Sequence, residues 1–259
     1  MQDEQSVFSR EIEYHERLYA GFDQKQFGRP AVRALRAHMV QRILRVTGAP
    51  ESARVLSLGC GIGDTELLLA PHVAEIVGLD LAPSAIRQAR EDAAHSGRGN
   101  LRYIEGTLDS AGLTPGSFDV IIAIFFLHHV PDAMLAGLPG QVRELLSPGG
   151  CFYSLDPSRR RLSGAIGSLL IPKLMRKYQS PDERELDAGS TARLFTHAGF
   201  DTRTDFYDFV SSPLAGLLPG WGMGYRAARR LDDIIVRVPL LRRWGSNFEV
   251  IAHKPRRLL

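Results

Sequence analysis

One stretch, residues 55–66, constrains the fold of this chain more than any other. It begins with an apolar run typical of a buried parallel strand and continues into glycines at positions 59, 61 and 63. Glycines at alternate positions let the backbone turn sharply and let a ligand approach with no Cβ in its way. A helical pattern follows, and the free N–H groups at a helix N-terminus attract anionic or hydrogen-bond-accepting groups. The stretch therefore predicts a strand, a tight loop and a helix that together face a ligand.

A second strand pattern places a carboxylate near this loop. Residues 76–79 are apolar or glycine, and Asp80 ends the run. In open α/β sheets, an acid in this position receives the ribose hydroxyls of a nucleotide-like cofactor. The alternatives are an ordinary tight turn for the glycines and a surface loop for Asp80, and the succession of the two patterns disfavours both.

Strand and helix patterns then alternate, which predicts an α/β fold with a parallel sheet covered by helices on both faces. A length of 259 residues fits one domain over residues 1–259. The predicted strands are residues 54–58, 75–80, 101–105, 118–124, 150–155, 200–210 and 247–253, and the predicted helices are residues 31–47, 65–70, 83–96, 134–146 and 190–198.

The cysteine content and the lack of long apolar runs exclude several classes of protein. The two cysteines, Cys60 and Cys151, form neither a disulfide framework nor a Cys-x-x-Cys metal site, and no metal-ligand spacing is visible. The first residues contain no basic region followed by an apolar run, and the chain has no apolar run of roughly 18 residues or more. The sequence therefore predicts a cytoplasmic protein without a resident metal.

Residues 1–28 are polar with interspersed aromatics and predict one or two short helices. Two later segments stand outside the alternation, and we expect them to cover the site. Residues 158–180 mix six Arg and Lys residues with aliphatic residues and contain no acid. Residues 211–245 are first apolar and aromatic, then basic. The last two segments are interpreted as cap insertions.

Four motifs in succession carry a resemblance to a known family. They are residues 55–63, residues 77–86, residues 116–130 and residues 145–150. Together they resemble class I S-adenosylmethionine-dependent methyltransferases, in particular the small-molecule branch with ubiquinone- and menaquinone-type enzymes. The resemblance implies a Rossmann-like methyltransferase fold with a mostly parallel seven-stranded sheet, whose last, antiparallel strand fits residues 246–254.

The resemblance also implies S-adenosyl-L-methionine as cofactor and assigns residues to it. Gly59, Gly61 and Gly63 would pass under the methionine and ribose, and Asp80 would accept both ribose hydroxyls in charge-assisted hydrogen bonds. Further assignments are Leu81, Thr107 and Leu108 at the adenine, and Ala123 and Phe125 beside the sulfonium.

Two positions depart from the family pattern. Ser57 stands where the family usually has an acid, near the methionine amino group. Either the cofactor affinity is lower, or a neighbour such as Glu66 or a water compensates. Thr107 stands where an aspartate often receives the adenine amino group, and its hydroxyl is a weaker acceptor.

His128 and His129 are the candidates for a general base, which is needed only if the acceptor must lose a proton. Their alternative role is packing at the start of a helix. Asp156, just past the fifth strand, is a candidate for the pocket, with capping as the alternative. Tyr14, His15 and Tyr19 would lie on a lid helix over the cofactor, with simple packing on the sheet as the alternative.

The sequence also indicates a class of acceptor. Residues 123–126 read Ala-Ile-Phe-Phe and lack the Asn/Asp-Pro-Pro-aromatic pattern of enzymes that methylate planar nitrogens. Trp221 and Tyr225 could roof an apolar pocket. These features predict methyl transfer to oxygen or carbon of a lipophilic or aromatic small molecule, in quinone-type or secondary metabolism.

Two rival functions and one further partner stay open. A nucleic-acid methyltransferase would use the basic insertions, although their arginines alternate with aliphatic residues rather than forming a phosphate-tracking stripe. The fold can also bind the cofactor while catalysing rearrangement or cyclisation. Residues 159–177 could contact an anionic membrane surface, with a solvated lid as the alternative.

Overall fold

A seven-stranded sheet forms the centre of the computed structural model, which describes residues 28–164 and 184–256 together with residues 10, 12–14, 16 and 17. The strand order is β3-β2-β1-β4-β5-β7-β6, and β7 alone runs antiparallel to its neighbours β5 and β6. The predicted mostly parallel Rossmann-like sheet is confirmed. The strands are β1 (Arg54–Leu58), β2 (Glu75–Asp80), β3 (Leu101–Glu105), β4 (Phe118–Ile124), β5 (Leu146–Pro157), β6 (Asp201–Asp208) and β7 (Asn247–His253).

Helices cover both faces of this sheet, as the alternation predicts. They are α1 (Pro30–Thr47), α2 (Asp64–Leu69), α3 (Pro83–His95), α4 (Asp132–Leu145), α5 (Ala188–His197), α6 (Ser211–Leu217), α7 (Gly222–Ile235) and α8 (Pro239–Arg242). Short 3₁₀ turns add Ala70–His72 and Leu127–His129. Proline suits the first position of a helix, and α1 and α3 both begin with one.

Each face of the sheet buries its own apolar cluster. On one face α4 and α5 pack against β4 and β5, and the rings of Phe152 and Phe195 stack 4.4 Å apart. On the other face Met39 and Ile43 of α1 pack against Val55 and Tyr153. Because every strand residue between the two layers faces one cluster or the other, the central strands are almost wholly buried.

The insertion at residues 211–245 forms three helices at the carboxyl edge of the parallel strands. β6 ends and β7 begins at this edge, because β7 is antiparallel to β5 and β6. The carboxylate of Asp232 in α7 accepts hydrogen bonds from the N–H groups of Val210 and Ser211, which caps α6. Asp208 accepts from the N–H of Ser212 and the side-chain amide of Asn247. These two buried carboxylates fix the insertion to the end of the sheet.

One buried ion pair joins α1 to the antiparallel edge of the sheet. Glu249 of β7 is fully buried, and its carboxylate accepts a 2.9 Å hydrogen bond from Nε of Arg42 and a 2.7 Å hydrogen bond from the hydroxyl of Tyr153. Arg42 also donates to Asp205 of β6 at 2.8 Å. Removing one partner of such a pair leaves an uncompensated buried charge.

We therefore expect Arg42→Met to lower the free energy of unfolding by about 3 kcal/mol, because Glu249 loses its counter-charge while staying buried. Urea denaturation followed by circular dichroism measures the change. Arg45→Met on the same helix is the matched control, since Arg45 is exposed. A loss below about 0.5 kcal/mol for Arg42→Met, equal to that of the control, would show that the ion pair contributes nothing.

Candidate functional site

The glycine loop after β1 adopts a backbone that only glycine tolerates well. Gly59, Gly61 and Gly63 have φ angles of 64°, 53° and 75°. A Cβ on Gly59 would run into the ring of Phe126, and a Cβ on Gly63 would run into the hydroxyl group of Tyr103. The loop therefore brings bare backbone to the carboxyl edge of the sheet, as its sequence predicts.

Asp80 ties this loop to the end of β2. Its Oδ2 accepts a 2.8 Å hydrogen bond from the N–H of Gly61, and its Oδ1 accepts a 2.9 Å hydrogen bond from the N–H of Ala82. A carboxylate has about four lone-pair positions, so two remain for a ligand. Asp80 also lines the cavity described below.

A second carboxyl group lies directly under the loop. The hydroxyl of Ser57 donates a 2.5 Å hydrogen bond to Oε1 of Glu66, which reaches down from α2. Both side chains are buried, and burial raises the pKa of Glu66 to about 7. Oε2 of Glu66 is buried without a hydrogen-bond partner. A buried carboxyl group therefore lies next to Ser57 and comes from nine residues further along the chain.

An open cavity lies at this edge of the sheet and draws its walls from several elements. Leu81 and Ala82 follow β2, and Thr107, Leu108 and Asp109 follow β3. The other lining residues are Ile12, Leu58, Gly59, Leu79, Asp80, Gly106, Phe125, Phe126, His129, Val130, Pro131, Met134, Leu138 and Gln141. Apolar walls with a few polar groups are typical of sites for small organic ligands.

Phe125 carries unusual backbone strain at the end of β4. Its φ is 54°, and no other non-glycine residue in the described part of the chain has a positive φ. The N–H of Phe125 donates a 2.7 Å hydrogen bond to the carbonyl of Leu155, which holds this conformation. As a result Phe125 packs with the cluster on the α1 face, whereas Phe126 packs with the cluster on the α4 face. Strain of this kind concentrates at functional sites.

His128 and Asp156 form a buried pair beside the cavity. Nδ1 of His128 lies 2.9 Å from Oδ1 of Asp156, and the N–H of His128 donates to the same oxygen at 3.3 Å. When Nδ1–H donates to the carboxylate, the neutral ring keeps Nε2 as a proton acceptor. The ring of His129, which lines the cavity, lies 4.0 Å from that of His128. The pair has the arrangement of a base held by an orienting acid.

The structure brings most of the residues predicted for the cofactor together. Six of the nine line the cavity: Gly59, Asp80, Leu81, Thr107, Leu108 and Phe125. His129, a candidate general base, lines it as well. Gly61 and Gly63 complete the loop, and Ala123 is buried near the end of β4. The hydroxyl of Thr107 accepts a 3.3 Å hydrogen bond from the N–H of Ser110, so it stabilises the local turn.

The residues predicted to contact the acceptor lie in different parts of the structure. Tyr225 is buried in the cluster that contains α1, because it lies on the inner face of α7. Trp221 precedes that helix and is 52% exposed. Neither residue lines the cavity. Tyr14 lies in the described helical segment near the N-terminus, whereas His15, Tyr19 and most of the predicted insertion at 158–180 lie outside the described residues.

Several residues that line the cavity were not predicted from the sequence. Asp109 lines the cavity and accepts a 2.8 Å hydrogen bond from the amide of Gln141. Met134, Leu138 and Gln141 line the same wall, and their spacing of four and three residues places them on one face of α4. That spacing is the sequence signal from which these three residues could have been predicted. For Asp109 no pattern distinguishes it from an ordinary turn residue.

Two further features are absent from the described residues. These residues contain no group of three or more His, Cys, Asp or Glu side chains arranged to hold a metal ion. None of the helices formed by these residues is both long enough and apolar enough to span a bilayer.

Comparisons with known proteins place this geometry in context. A family model described as a methyltransferase domain matches residues 55–150. The ubiquinone biosynthesis O-methyltransferase of Thiobacillus denitrificans is 29% identical over 160 residues, which are 60% of this chain and 68% of that protein. The matches to the first four curated relatives span from 40% to 68% of their lengths.

Solved structures show the same fold at lower identity. The YcgJ protein from Bacillus subtilis gives a TM-score of 0.57 at 19% identity and covers 85% of this chain and 99% of its own. Phosphoethanolamine N-methyltransferase 2 of Haemonchus contortus, solved in complex with S-adenosyl-L-methionine, gives a TM-score of 0.59 at 15% identity. That match covers 85% of this chain and 53% of the other.

The raised pKa of Glu66 predicts a pH-dependent stability. The folded-state pKa of about 7 lies above the ordinary value of 4.5, so the folded protein binds the proton more tightly and loses stability as the pH rises through that window. Glu66→Gln cannot ionise. We expect its stability relative to the wild type to increase by about 2–3 kcal/mol between pH 5 and pH 8.

Urea denaturation of both proteins at the two pH values measures this difference. Glu51→Gln serves as the control, because Glu51 is exposed. If the Glu66→Gln difference is the same at both pH values, the buried carboxyl does not titrate in this range.

Proposed function

Because this chain belongs to the class I S-adenosylmethionine-dependent methyltransferases, we propose that it methylates an oxygen or carbon atom of a lipophilic or aromatic small molecule. The single observation that carries the proposal is the Asp80 carboxylate, which holds the glycine loop and faces an apolar cavity at the carboxyl edge of the sheet. In folds of this class, ligands bind at that edge.

The residues of the cavity fit S-adenosylmethionine. Gly59 has no Cβ and so leaves room for the Phe126 ring in the cavity wall, and Asp80 keeps lone pairs for two ribose hydroxyls. Leu81 and Leu108 provide apolar surface for the adenine, and the free oxygen of Asp109 suits the adenine amino group in place of the weaker Thr107. When bound, the cofactor supplies an electrophilic methyl carbon on a good leaving group, so positioning and exclusion of water contribute most.

Glu66 is the residue we assign to the amino group of the methionine moiety. Its Oε2 is buried without a partner beside the glycine loop, and Ser57 holds the other oxygen. An ammonium group would supply the counter-charge that this carboxyl lacks, and it would favour the ionised form. Ser57 and Glu66 thus divide between them the task of the single acid that relatives usually carry at the end of β1.

His128 is the residue we assign as general base for an acidic hydroxyl acceptor. Asp156 orients the ring through Nδ1, so Nε2 would take the acceptor's proton as the new bond to carbon forms. His129 and Phe125 also line the cavity, and their rings would offer flat surface to an aromatic acceptor.

The acceptor class rests on the apolar lining and on relatives named for ubiquinone biosynthesis. A quinol-type acceptor combines an apolar ring with a hydroxyl group, and a role in quinone-type or secondary metabolism follows from that choice. A cytoplasmic location stays a prediction.

Incubation with methyl-labelled cofactor and a panel of phenols, quinols and acids tests the proposal.

Label in a quinol or phenol would support the proposed acceptor. Label in RNA or DNA would instead indicate the rival nucleic-acid methyltransferase. Cofactor binding without transfer to any acceptor would favour rearrangement or cyclisation.

Two substitutions separate the two halves of the cofactor site. Asp80→Asn should weaken binding of both S-adenosylhomocysteine and methylthioadenosine about 10- to 100-fold, since both carry the ribose. Glu66→Gln should weaken S-adenosylhomocysteine by a similar factor and leave methylthioadenosine unchanged, since only the former has an amino group. Isothermal titration calorimetry measures all four affinities.

Asp201→Asn is the control for these titrations, because Asp201 is exposed at the start of β6. Equal losses of both ligands in Glu66→Gln would indicate a disturbed loop rather than a lost contact. Unchanged affinity in Asp80→Asn would remove the assigned ribose contact.

For an O-methylated acceptor found in the labelling assay, His128→Gln should lower kcat about 100-fold or more, because the proton then has no positioned acceptor. Calorimetry should show S-adenosylhomocysteine affinity within about twofold of the wild type. His95→Gln, an exposed histidine on α3, is the control. Full activity of His128→Gln would show that His128 is not the general base and that its role is packing.

A further inference from the structure

The large exposed apolar side chains of this protein are concentrated in one stretch. Thirteen such residues occur in the described part of the chain, and eleven of them lie between residues 210 and 244. They are Val210, Leu217, Leu218, Trp221, Met223, Leu231, Ile234, Val238, Leu240, Leu241 and Trp244. Single exposed apolar residues are ordinary, but a concentration of this kind marks an interaction site.

Helix α7 presents its exposed apolar side chains along one face. Its inner face buries Tyr225, Ala228 and Asp232, whereas its outer face exposes Met223, Arg226, Arg230, Leu231 and Ile234 at spacings of three and four residues. A solvated outer face would carry mixed charges without aliphatic residues. This one alternates arginine with long apolar side chains.

The segment after α7 continues the same surface. None of the residues of α8 is buried, and Leu240 is 70% exposed. Leu241 and Trp244 follow on the same short segment, with the guanidinium of Arg243 5.4 Å from the centre of the Trp244 ring. We call the exposed residues of α7, of α8 and of the turns at 217–221 and 236–244 the outer cap surface.

The charge of the outer cap surface has one sign. Five of its arginines are exposed: Arg226, Arg230, Arg237, Arg242 and Arg243. Residues 211–245, all of them described, contain two acids. Asp232 is buried and caps α6, and Asp233 pairs with the buried Arg229 at 3.0 Å. Within residues 211–245 no acid is left to balance the exposed arginines.

These properties select one kind of partner. Two-fold pairing with a second copy would bring arginine against arginine, which is repulsive. A nucleic acid would reward the arginines but gain little from Leu240, Ile234 or Met223. An anionic bilayer rewards both, because arginines attract the headgroups while leucine and tryptophan side chains enter the interfacial layer.

We propose that the outer cap surface docks on an anionic lipid bilayer. The surface follows β6 at the carboxyl edge of the sheet, the same edge that carries the cavity, so docking would bring that edge to molecules dissolved in the membrane. This link to a lipophilic acceptor rests on the proposed function, whereas the docking itself does not. It also moves the expected membrane contact from residues 159–177 to the described residues 217–244.

Both tryptophans of the chain, Trp221 and Trp244, lie on this surface, so intrinsic fluorescence reports on it directly. The test adds vesicles of phosphatidylcholine, with or without 30 mol% phosphatidylglycerol, to the full chain at low salt, roughly 50 mM. The expected result with phosphatidylglycerol is a blue shift of the emission, quenching by brominated acyl chains and co-sedimentation with the vesicles. Raising the salt to roughly 500 mM should weaken binding.

Arg237→Glu/Arg242→Glu is the test variant, since both arginines are exposed and make no ion pair in the described structure. Its vesicle affinity should fall at least about tenfold. Arg98→Glu/Arg102→Glu makes the same change of charge at the β3 end of the sheet and should bind vesicles like the wild type. Calorimetry with S-adenosylhomocysteine should give wild-type affinity for both, which shows that they fold.

Absence of binding to phosphatidylglycerol vesicles at low salt would overturn the proposal, as would equal losses in the two double variants. Binding of a single-stranded RNA without vesicle binding would reassign the surface to nucleic acid. A dimer in light scattering that Arg237→Glu/Arg242→Glu dissociates, again without vesicle binding, would reassign it to a second copy. These readouts need no acceptor, so they stand or fall separately from methyl transfer.

Discussion

The carboxylate of Asp80 is the contact on which the site depends. It accepts hydrogen bonds from the N–H groups of Gly61 and Ala82, and so it joins the ends of two adjacent strands. The loop can reach it only because three glycines take positive φ angles and leave room for Phe126 and Tyr103. The same carboxylate faces the cavity. One acid therefore sets the shape of the loop and, in the proposed function, accepts the ribose hydroxyls.

Around this centre, two other acidic groups stand at different sequence positions from those in the family that the chain resembles. Ser57 replaces an acid at the end of β1, and Glu66 returns a carboxyl to the same place through a 2.5 Å hydrogen bond. Thr107 replaces an acid after β3, and Asp109 lines the cavity two residues later. Because a ligand responds to the position of a charge and not to its place in the sequence, such exchanges can preserve binding. The cost is a buried Glu66 whose pKa is raised to about 7.

The sheet could be predicted from the sequence because buried parallel strands appear as continuous apolar runs, and the predicted bounds of β1 to β4 agree with the structure. The glycine loop and Asp80 follow from the same patterns. The cap could not be predicted in detail, because its helices are oriented by tertiary contacts. Tyr225 faces α1 and Trp221 faces outward, although the composition of residues 211–245 suggested that both would roof a pocket. The pairing of Asp156 with His128 likewise needed the register of β5 against the turn after β4.

A crystal structure of the protein with S-adenosylhomocysteine would show directly which groups hold the nucleoside. We expect both ribose hydroxyls within hydrogen-bond distance of the Asp80 carboxylate and the amino group within reach of Oε2 of Glu66. We also expect the adenine between Leu81 and Leu108. A nucleoside bound elsewhere, or a ribose held by other groups while Asp80 contacts only the loop, would contradict these expectations.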